Sequence, residues 1–200
     1  MKIGIFAGTF DPIHNGHIEF ARTATEQAGL DKIIIVAEKE PYRKKPHASW
    51  DHRQAMIERA SQPLENIDHD YQFANQLAHQ HTMKNMLEVA KKHFNESNEF
   101  WFLVGSDLFE HMHQWHDLAA EHEYGGFVVA LRDGHTLAWL NQQQERLKQV
   151  AGRTAPVVVV PNAQPHISSS AIRSAIKSNL PISDVPASVQ EYLQTHQLYQ

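Results

Sequence analysis

The fold is decided by the stretch that follows the first apolar run of the chain. It reads Ala7-Gly8-Thr9-Phe10-Asp11-Pro12-Ile13-His14-Asn15-Gly16-His17. Residues 2–6 before it, which are mostly apolar, predict a short buried strand. Gly8 lets a ligand approach the backbone closely, Asp11-Pro12 predicts a turn, and Asn15-Gly16 leads to a helix start with His17 in its first turn. The stretch therefore predicts a strand, a turn and a helix in direct succession.

The same alternation continues along the chain. Short β-branched or aromatic runs at 32–37, 100–104, 126–131 and 157–160 predict further buried strands. Apolar residues at helical spacing lie between them: Ile18, Ala21, Thr25 and Ala28; Met83, Met86, Leu87, Ala90 and Phe94; Leu137, Leu140, Leu147 and Val150. Further helices are expected at 53–60, after Ser168, and at Pro186 as a first helical residue. This order predicts an α/β fold, a Rossmann-like open parallel sheet with helices on both faces.

Length and composition exclude several classes of protein. The chain has 200 residues, 42% of them hydrophobic and 20% charged, and a formal net charge of −5. We expect a single domain over residues 1–200 that does not bind nucleic acid polymers, which require a basic face. No apolar run approaches the ~20 residues of a membrane helix, so we expect a cytoplasmic protein. The absence of cysteine excludes disulfides, thiolate zinc sites and a cysteine nucleophile.

The helix start at His14 and His17 is a candidate phosphate site. A helix N-terminus presents N–H groups and a positive dipole, and open α/β sheets bind ligands at the carboxyl ends of their strands. The two imidazoles are three residues apart, so they point the same way. They can donate to phosphate oxygens and meet charge that develops in a transition state. Polar loop residues or a zinc pair are the alternatives, and neither a Walker loop nor a dinucleotide fingerprint is present.

A second phosphate candidate follows the last predicted strand. Ser168, Ser169 and Ser170 can cap a helix, and Arg173 lies about one turn further on, where its guanidinium can bind phosphate oxygens. Alone, this segment would be an ordinary capped helix. Together with the histidine pair it suggests two helix N-termini that hold one polyphosphate.

Other polar clusters have simpler interpretations. The basic loop at 39–49 is either a solvated loop or a functional one. The cluster His111, His113 and His116 favours a polar helix and loop over a zinc site, because no carboxylate is placed beside it as a base. Trp115 either stacks on an acceptor ring or fills the core, and His79 and His81 are expected in a surface turn.

Four stretches resemble one family. The stretch 8–17 looks like the HxGH motif of the nucleotidyltransferase superfamily, and residues 167–173 look like its second, serine-rich motif ending in arginine. Residues 103–107 followed by Trp115 are similar to the Gly-(Ala/Ser)-Asp…Trp stretch of the nicotinate-nucleotide adenylyltransferase family. The segment 189–199, with Tyr192, Leu193, His196, Leu198 and Tyr199, resembles the end of that family's last helix. The resemblance covers nearly the whole chain.

The resemblance implies a reaction and a set of residues. A nucleotide 5′-phosphate attacks the α-phosphorus of ATP in line and pyrophosphate leaves, with Mg²⁺ carried by ATP rather than by the protein. It implies His14 and His17 as catalytic residues; Gly8, Thr9, Phe10, Gly105, Asp107, Ser168, Ser169 and Arg173 as ATP-binding; and Thr82, Trp115, Lys45 and His47 as acceptor-binding. The expected partners are ATP and a mononucleotide acceptor, with no membrane; a homo-oligomer is left open.

The chain also departs from the family pattern. Ala7 replaces the first glycine of the usual Gly-Gly, the basic residue of the family's Pro-Pro-His-Lys loop is absent at Ala48, and the stretch 80–86 keeps only Thr82. Nicotinate mononucleotide is the expected acceptor. Nicotinamide mononucleotide or phosphopantetheine as acceptor, or a nucleotide-binding regulatory protein on the same fold, are the alternatives.

Overall fold

The computed structural model describes residues 1–41, 45–77, 82–112, 125–131, 134–151, 155–161, 164 and 166–200, without the side chains of 150 and 151. Its strands alternate with helices from the start of the chain, as the hydrophobic pattern predicts. The strands are β1 (Lys2–Gly8), β2 (Lys32–Ala37), β3 (Ile67–Asp68), β4 (Glu99–Gly105), β5 (Gly126–Leu131) and β6 (Val157–Pro161).

The helices of the described residues connect these strands. They are α1 (Asn15–Ala28), α2 (Trp50–Ser61), α3 (Tyr71–Gln76), α4 (Met83–Phe94), α5 (Ser106–His111), α6 (Leu137–Ala151), α7 (Ser169–Lys177) and α8 (Ala187–Thr195). Side-chain oxygens cap several of them. Ser49, Asp70, Thr82 and Ser168 each accept a backbone N–H from the first turn of the helix that follows, as the residue types favoured at helix starts do.

All the strands form one parallel sheet in the order β3-β2-β1-β4-β5-β6. The direction of winding reverses between β1 and β4, so the switch point of the sheet lies there. The pairing between β1 and β4 ends at Ile5 and Phe102. Beyond this point the two strands separate, and each runs three residues further, to Gly8 and Gly105. The crevice in which such sheets bind ligands opens at this place.

Helices cover both faces of the sheet, which confirms the predicted fold class. On one face α1, α2, α7 and α8 pack in a core that includes Ala24, Ile57, Ile172 and Leu193. On the other face α3, α4, α5 and α6 pack around Phe73, Leu87, Phe109 and Leu140. Strand residues such as Ile33 and Ile34 face opposite cores because successive strand side chains alternate.

Some local predictions were wrong. The sequence analysis missed β3 and α3, because a two-residue strand and a six-residue helix give little periodicity. Leu137, expected on the buried face of α6, is 63% exposed at the first residue of that helix. Pro186 is the N-cap of α8 and not its first helical residue. No helix in the described part of the chain is both long and apolar enough to cross a membrane.

Candidate active site

The two histidines of the first motif cap α1 reciprocally. His14 is the N-cap and its Nδ1 accepts the backbone N–H of His17 (3.3 Å), while Nδ1 of His17 accepts the backbone N–H of His14 (3.2 Å). The rings stack with centroids 3.5 Å apart. Because both Nδ1 atoms act as acceptors, the proton of each neutral ring is on Nε2. The arrangement therefore makes a matched pair of Nε2–H donors at the end of β1.

Aromatic rings hold this pair from the core side. The ring of His17 lies edge-on to Phe10 (4.9 Å) and Phe6 (6.0 Å). A side chain at Gly8 would meet the Phe10 ring at 3.1 Å. The space above Gly8, expected to receive a ligand, is thus filled by a side chain of the same loop. Phe10 itself is 3% exposed and has a positive φ of 47°, a conformation that non-glycine residues rarely adopt.

Backbone N–H groups at the start of α1 donate to acceptors within the protein. The N–H of Asn15 donates to the carbonyl of Asp184 (2.8 Å), and the N–H of His17 donates to the carbonyl and ring of His14. The sequence pattern predicts free N–H groups at this helix start that face a phosphate. In the structure the N–H groups of Asn15 and His17 are bound by acceptors of the chain itself, and a phosphate site at this helix start stays a prediction.

The serine-rich motif at 167–173 lies against the histidine motif at 8–17. The hydroxyl of Ser169 donates to the carbonyl of Pro12 (2.9 Å), and Nη1 of Arg173 donates to the carbonyl of Asp11 (2.6 Å). The starts of α1 and α7 are therefore side by side, as the sequence analysis expected. Ser168 is exposed and its hydroxyl accepts the N–H of Ala171 as the cap of α7.

Asp11 is the buried centre of this region, although its sequence motif indicated only a turn. Its carboxylate is 4% exposed. One oxygen accepts the backbone N–H of His47 (2.8 Å) and contacts its ring at 3.2 Å, and the other accepts the N–H of Ala48 (3.0 Å) and the hydroxyl of Tyr199 (2.7 Å). Burial alone would raise the pKa of Asp11, but these donors outweigh it and hold that pKa below its usual value.

A buried arginine joins the loops that follow β1 and β2. Arg53 of α2 is 1% exposed, and its guanidinium donates to the carbonyls of Thr9 (2.8 Å), Glu38 (2.7 Å) and Lys39 (3.3 Å). Burial lowers the pKa of Arg53 while the nearby carboxylate of Asp11 opposes that shift. Within the described residues its Nε has no partner.

The end of β4 supplies the residues predicted to hold the ribose. Gly105 is the N-cap of α5 and Asp107 lies exposed in its first turn. The neighbouring Ser106 is fully buried, with its hydroxyl 2.7 Å from Nδ1 of His135, whose ring stacks on Trp139. The hydrogen bond between Ser106 and His135 therefore holds the start of α5 in place. Asp107 lies on this helix start, across the switch point from Gly8.

The residues predicted for the acceptor are only partly brought together. A shallow surface depression lies beside the ends of β1 and β2, lined by Ala7, Val36, Ala37, Glu38, Lys39, Leu77 and Met86. The hydroxyl of Thr82 caps α4 one turn before Met86. Lys45 and His47 are exposed at the entrance to α2, where His47 contacts Asp11. Trp115 lies outside the described residues.

Comparison with known proteins identifies the family. Residues 5–175 match the cytidylyltransferase-like family. A probable nicotinate-nucleotide adenylyltransferase of Pseudoalteromonas atlantica is 32% identical, over 99% of this chain and 94% of its own length. One of Clostridium novyi is 31% identical, over 91% of this chain and 90% of its own length.

The chain belongs to the nicotinate-nucleotide adenylyltransferase family.

A solved structure supports the fold assignment. The nicotinic acid mononucleotide adenylyltransferase of Plasmodium falciparum, complexed with NaAD, superposes with a TM-score of 0.74 over 99% of this chain and 97% of its own chain. At 18% identity the likeness concerns the fold alone. Two relatives above 30% identity and a shared Rossmann-like architecture confirm both the family resemblance and the class of enzyme, a nucleotidyltransferase.

Family motifs do not account for every residue of the site. Arg53 and the carboxylate of Asp11 were not predicted, because their partners lie between 14 and 188 residues away in sequence. The signal for Arg53 was an arginine at helical spacing from Met56, Ile57 and Ala60, which lie on the buried face of α2. Tyr199 was seen only as part of a family ending, and its partner could not be read from the sequence.

Proposed function

We propose that the protein transfers the adenylyl group of ATP to nicotinate mononucleotide, which gives the deamido-NAD dinucleotide and pyrophosphate in NAD biosynthesis. An oxygen of the mononucleotide 5′-phosphate attacks the α-phosphorus of ATP. The bond from that phosphorus to the oxygen bridging to the β-phosphate breaks, and pyrophosphate leaves. The activity printed in the names of the relatives supports this proposal.

The observation that carries the proposal is the reciprocal capping of His14 and His17. The bonds that fix both rings also fix the tautomer, so the Nε2–H donors need no reorganisation when charge builds on the phosphates. Neutral imidazoles donate without adding a permanent charge to the site. We assign them to the α- and β-phosphate oxygens, whose charge rises in the transition state.

The remaining ATP contacts follow from the positions around the switch point. Ser168, Ser169 and Arg173 at the start of α7 would hold the β- and γ-phosphates, beside the backbone of residues 8–10. Gly105 and Asp107 at the start of α5 would hold the ribose. Phosphoryl-type transfer needs little covalent chemistry from the protein, so positioning and electrostatics supply the catalysis.

The acceptor is assigned to the side of the crevice beside β2. The shallow depression beside β2 has the side chains of Val36, Leu77 and Met86 in its lining. We place the pyridine ring against this surface, and Thr82 lies one helical turn from Met86. Lys45 and His47 are exposed on the loop before α2, where a cation would favour an anionic nucleotide. Trp115 is kept as a proposed stacking partner for the ring.

The divalent metal is assigned to the substrate. Among the described residues, no cluster of three or more histidine and acidic side chains could hold a metal ion. Mg²⁺ usually binds through substrate phosphates and a few waters. We therefore expect activity to require Mg²⁺ and to survive treatment with a chelator that removes tightly bound zinc.

The test is pyrophosphate release from ATP with a panel of acceptors: nicotinate mononucleotide, nicotinamide mononucleotide and phosphopantetheine. We expect kcat/KM for the nicotinate nucleotide to exceed that for the amide by at least roughly tenfold, because a site built for a carboxylate leaves its donors unpaired with an amide. Equal values, or a preference for another acceptor, would contradict the proposed substrate. No release with any acceptor would contradict adenylyl transfer.

A further inference from the structure

The segment after α8 is shaped to deliver one side chain to the site. Gln197 has a positive φ of 50°. The N–H of Gln197 donates to the carbonyl of Gln194 (3.2 Å), and the N–H of Leu198 donates to that of Leu193 (3.1 Å). This is the Schellman arrangement that ends a helix and reverses the chain. Leu198 packs against the core and Tyr199 follows it with a second positive φ, 67°.

Tyr199 reaches the one carboxylate that links the loops of the site. Its hydroxyl donates to Oδ1 of Asp11 (2.7 Å), the same oxygen that accepts the N–H of Ala48. The other oxygen of Asp11 accepts the N–H of His47. The main chain of Asp11 in turn accepts Arg173 of α7. Four segments that are remote in sequence therefore meet at a single buried side chain.

We propose that Tyr199 is a positioning residue: its hydroxyl holds the Asp11 carboxylate in the orientation that fixes the loop 45–48 beside the histidine motif. The role follows from geometry. Two backbone N–H groups bind the two oxygens of the carboxylate, and the Tyr199 hydroxyl adds a third donor on Oδ1, so turning the carboxylate away would break three hydrogen bonds instead of two. Tyr199 touches neither substrate as assigned above, so it acts through Asp11.

The electrostatics support this role. The groups that face the carboxylate are His47 from the loop before α2, Tyr199 from the segment after α8, Arg173 from α7 and, at longer range, Arg53 from α2. The Tyr199 hydrogen bond is among the contacts that lower the pKa of Asp11. Burial first, and then the Asp11 contact, raise the pKa of Tyr199 above its usual value, so the phenol stays a donor.

A second tyrosine, Tyr192 on the helix α8 that precedes Tyr199, provides a matched control. The hydroxyl of Tyr192 is 2.9 Å from Nδ1 of His52, and its ring lies under the guanidinium of Arg59 at 4.3 Å. It helps to attach α8 to α2 without contacting Asp11. Tyr192→Phe and Tyr199→Phe each remove one hydroxyl hydrogen bond from the same part of the molecule and leave the ring in place.

The experiment compares the two variants in steady-state kinetics across pH. We expect Tyr199→Phe to lower kcat/KM for the mononucleotide roughly tenfold, as for a lost hydrogen bond to a charged group. The acid limb of its pH profile moves to higher pH, since Asp11 loses a donor that favours its ionised form. Tyr192→Phe keeps wild-type kinetics and the wild-type acid limb. The same limb in all three proteins would contradict the role of Tyr199.

A second readout does not depend on activity, because the kinetic test rests on the proposed function. Amide hydrogen exchange of substrate-free protein should be faster at His47 and Ala48 in Tyr199→Phe than in wild type or Tyr192→Phe. Unchanged exchange at both amides would overturn the positioning role even if the enzyme is active. Faster exchange in a protein that makes no dinucleotide would overturn the proposed function and leave the positioning role intact.

A double-mutant cycle tests whether Tyr199 acts through Asp11. If it does, the Asp11→Ala variant should lose no further affinity or rate when Tyr199→Phe is added, because the side-chain oxygen that accepts the Tyr199 hydroxyl is already gone. Independent, additive losses would contradict that role.

Discussion

His17 has a structural role and a proposed catalytic role in the same side chain. Its Nδ1 accepts the backbone N–H of His14, the N-cap residue of α1, while its Nε2–H is assigned to the phosphates. Replacing His17 by Ala should lower kcat about a hundred- to a thousandfold and weaken ATP binding far less, because one preorganised donor is worth that much in the transition state. Rate measurements at saturating substrate, with ATP binding by calorimetry, provide the check.

A conservative variant separates capping from catalysis. Asn in place of His17 keeps a side-chain acceptor near the backbone N–H of His14 but has no donor at the position of Nε2. We expect His17→Asn to unfold at nearly the wild-type urea concentration and to be as slow as His17→Ala. Near-normal turnover in either variant would show that this ring does not serve catalysis.

Arg53 stabilises the loops of the site through hydrogen bonds to their carbonyls. Replacing it by Met keeps the buried volume but leaves three loop carbonyls without their donor. Unfolding in urea should show a loss of about 3 kcal/mol or more. Arg59→Met on the same helix is the control: it removes a stacking contact with Tyr192 and should cost under about 1 kcal/mol. Equal losses would contradict the assignment.

At the scale of elements, caps were the most predictable features and short elements the least. The start of α7 could be predicted because Ser168, a residue type that caps helices, is followed by an apolar face. The start of α1 could be predicted because Asn15-Gly16 is followed by an apolar face. β3 and α3 could not, since their few residues are held by tertiary contacts rather than by local pattern. Pro186 shows the usual one-residue uncertainty at a helix end.

The start of α3 gives a prediction on pH. Asp70 caps α3 through the N–H of Phe73 (2.8 Å) and pairs with His93 of α4 (2.8 Å). Burial by itself would raise the pKa of Asp70, but these contacts outweigh burial, so the pKa of Asp70 lies below its ordinary value. A carboxyl of this kind stabilises the fold above its unfolded pKa of about 3.9, and that contribution is lost as the pH falls through its folded pKa.

Asp70→Asn should therefore reduce the acid dependence of stability. Asn still caps a helix, so the main change is the loss of the titrating charge. Urea unfolding from about pH 5 to about pH 3 should show a steeper fall in the free energy of unfolding for wild type than for Asp70→Asn. Asp51→Asn removes one charge from the exposed start of α2 as a control. Parallel curves for wild type and Asp70→Asn would contradict the role of the ion pair.

At the scale of the whole molecule, the fold follows from the alternation of apolar runs and the site from the switch point of the sheet. His14, His17, Ser168, Ser169 and Asp107 could be placed at the carboxyl edge of the sheet in advance, because each lies at the start of a helix that follows a strand. The links among Asp11, Arg53 and Tyr199 could not, because a hydrogen bond across 188 residues of sequence leaves no local pattern. The family relationship adds the reaction.

The most direct test of adenylyl transfer at this site follows the label from ATP. With nicotinate mononucleotide and ATP labelled at the α-phosphorus, the label should appear in a dinucleotide with the mass of deamido-NAD; with ATP labelled at the γ-phosphorus it should appear only in pyrophosphate. His17→Asn should slow both about a hundredfold or more. Label from the α-phosphorus in free AMP, or from the γ-phosphorus in the acceptor product, would contradict adenylyl transfer.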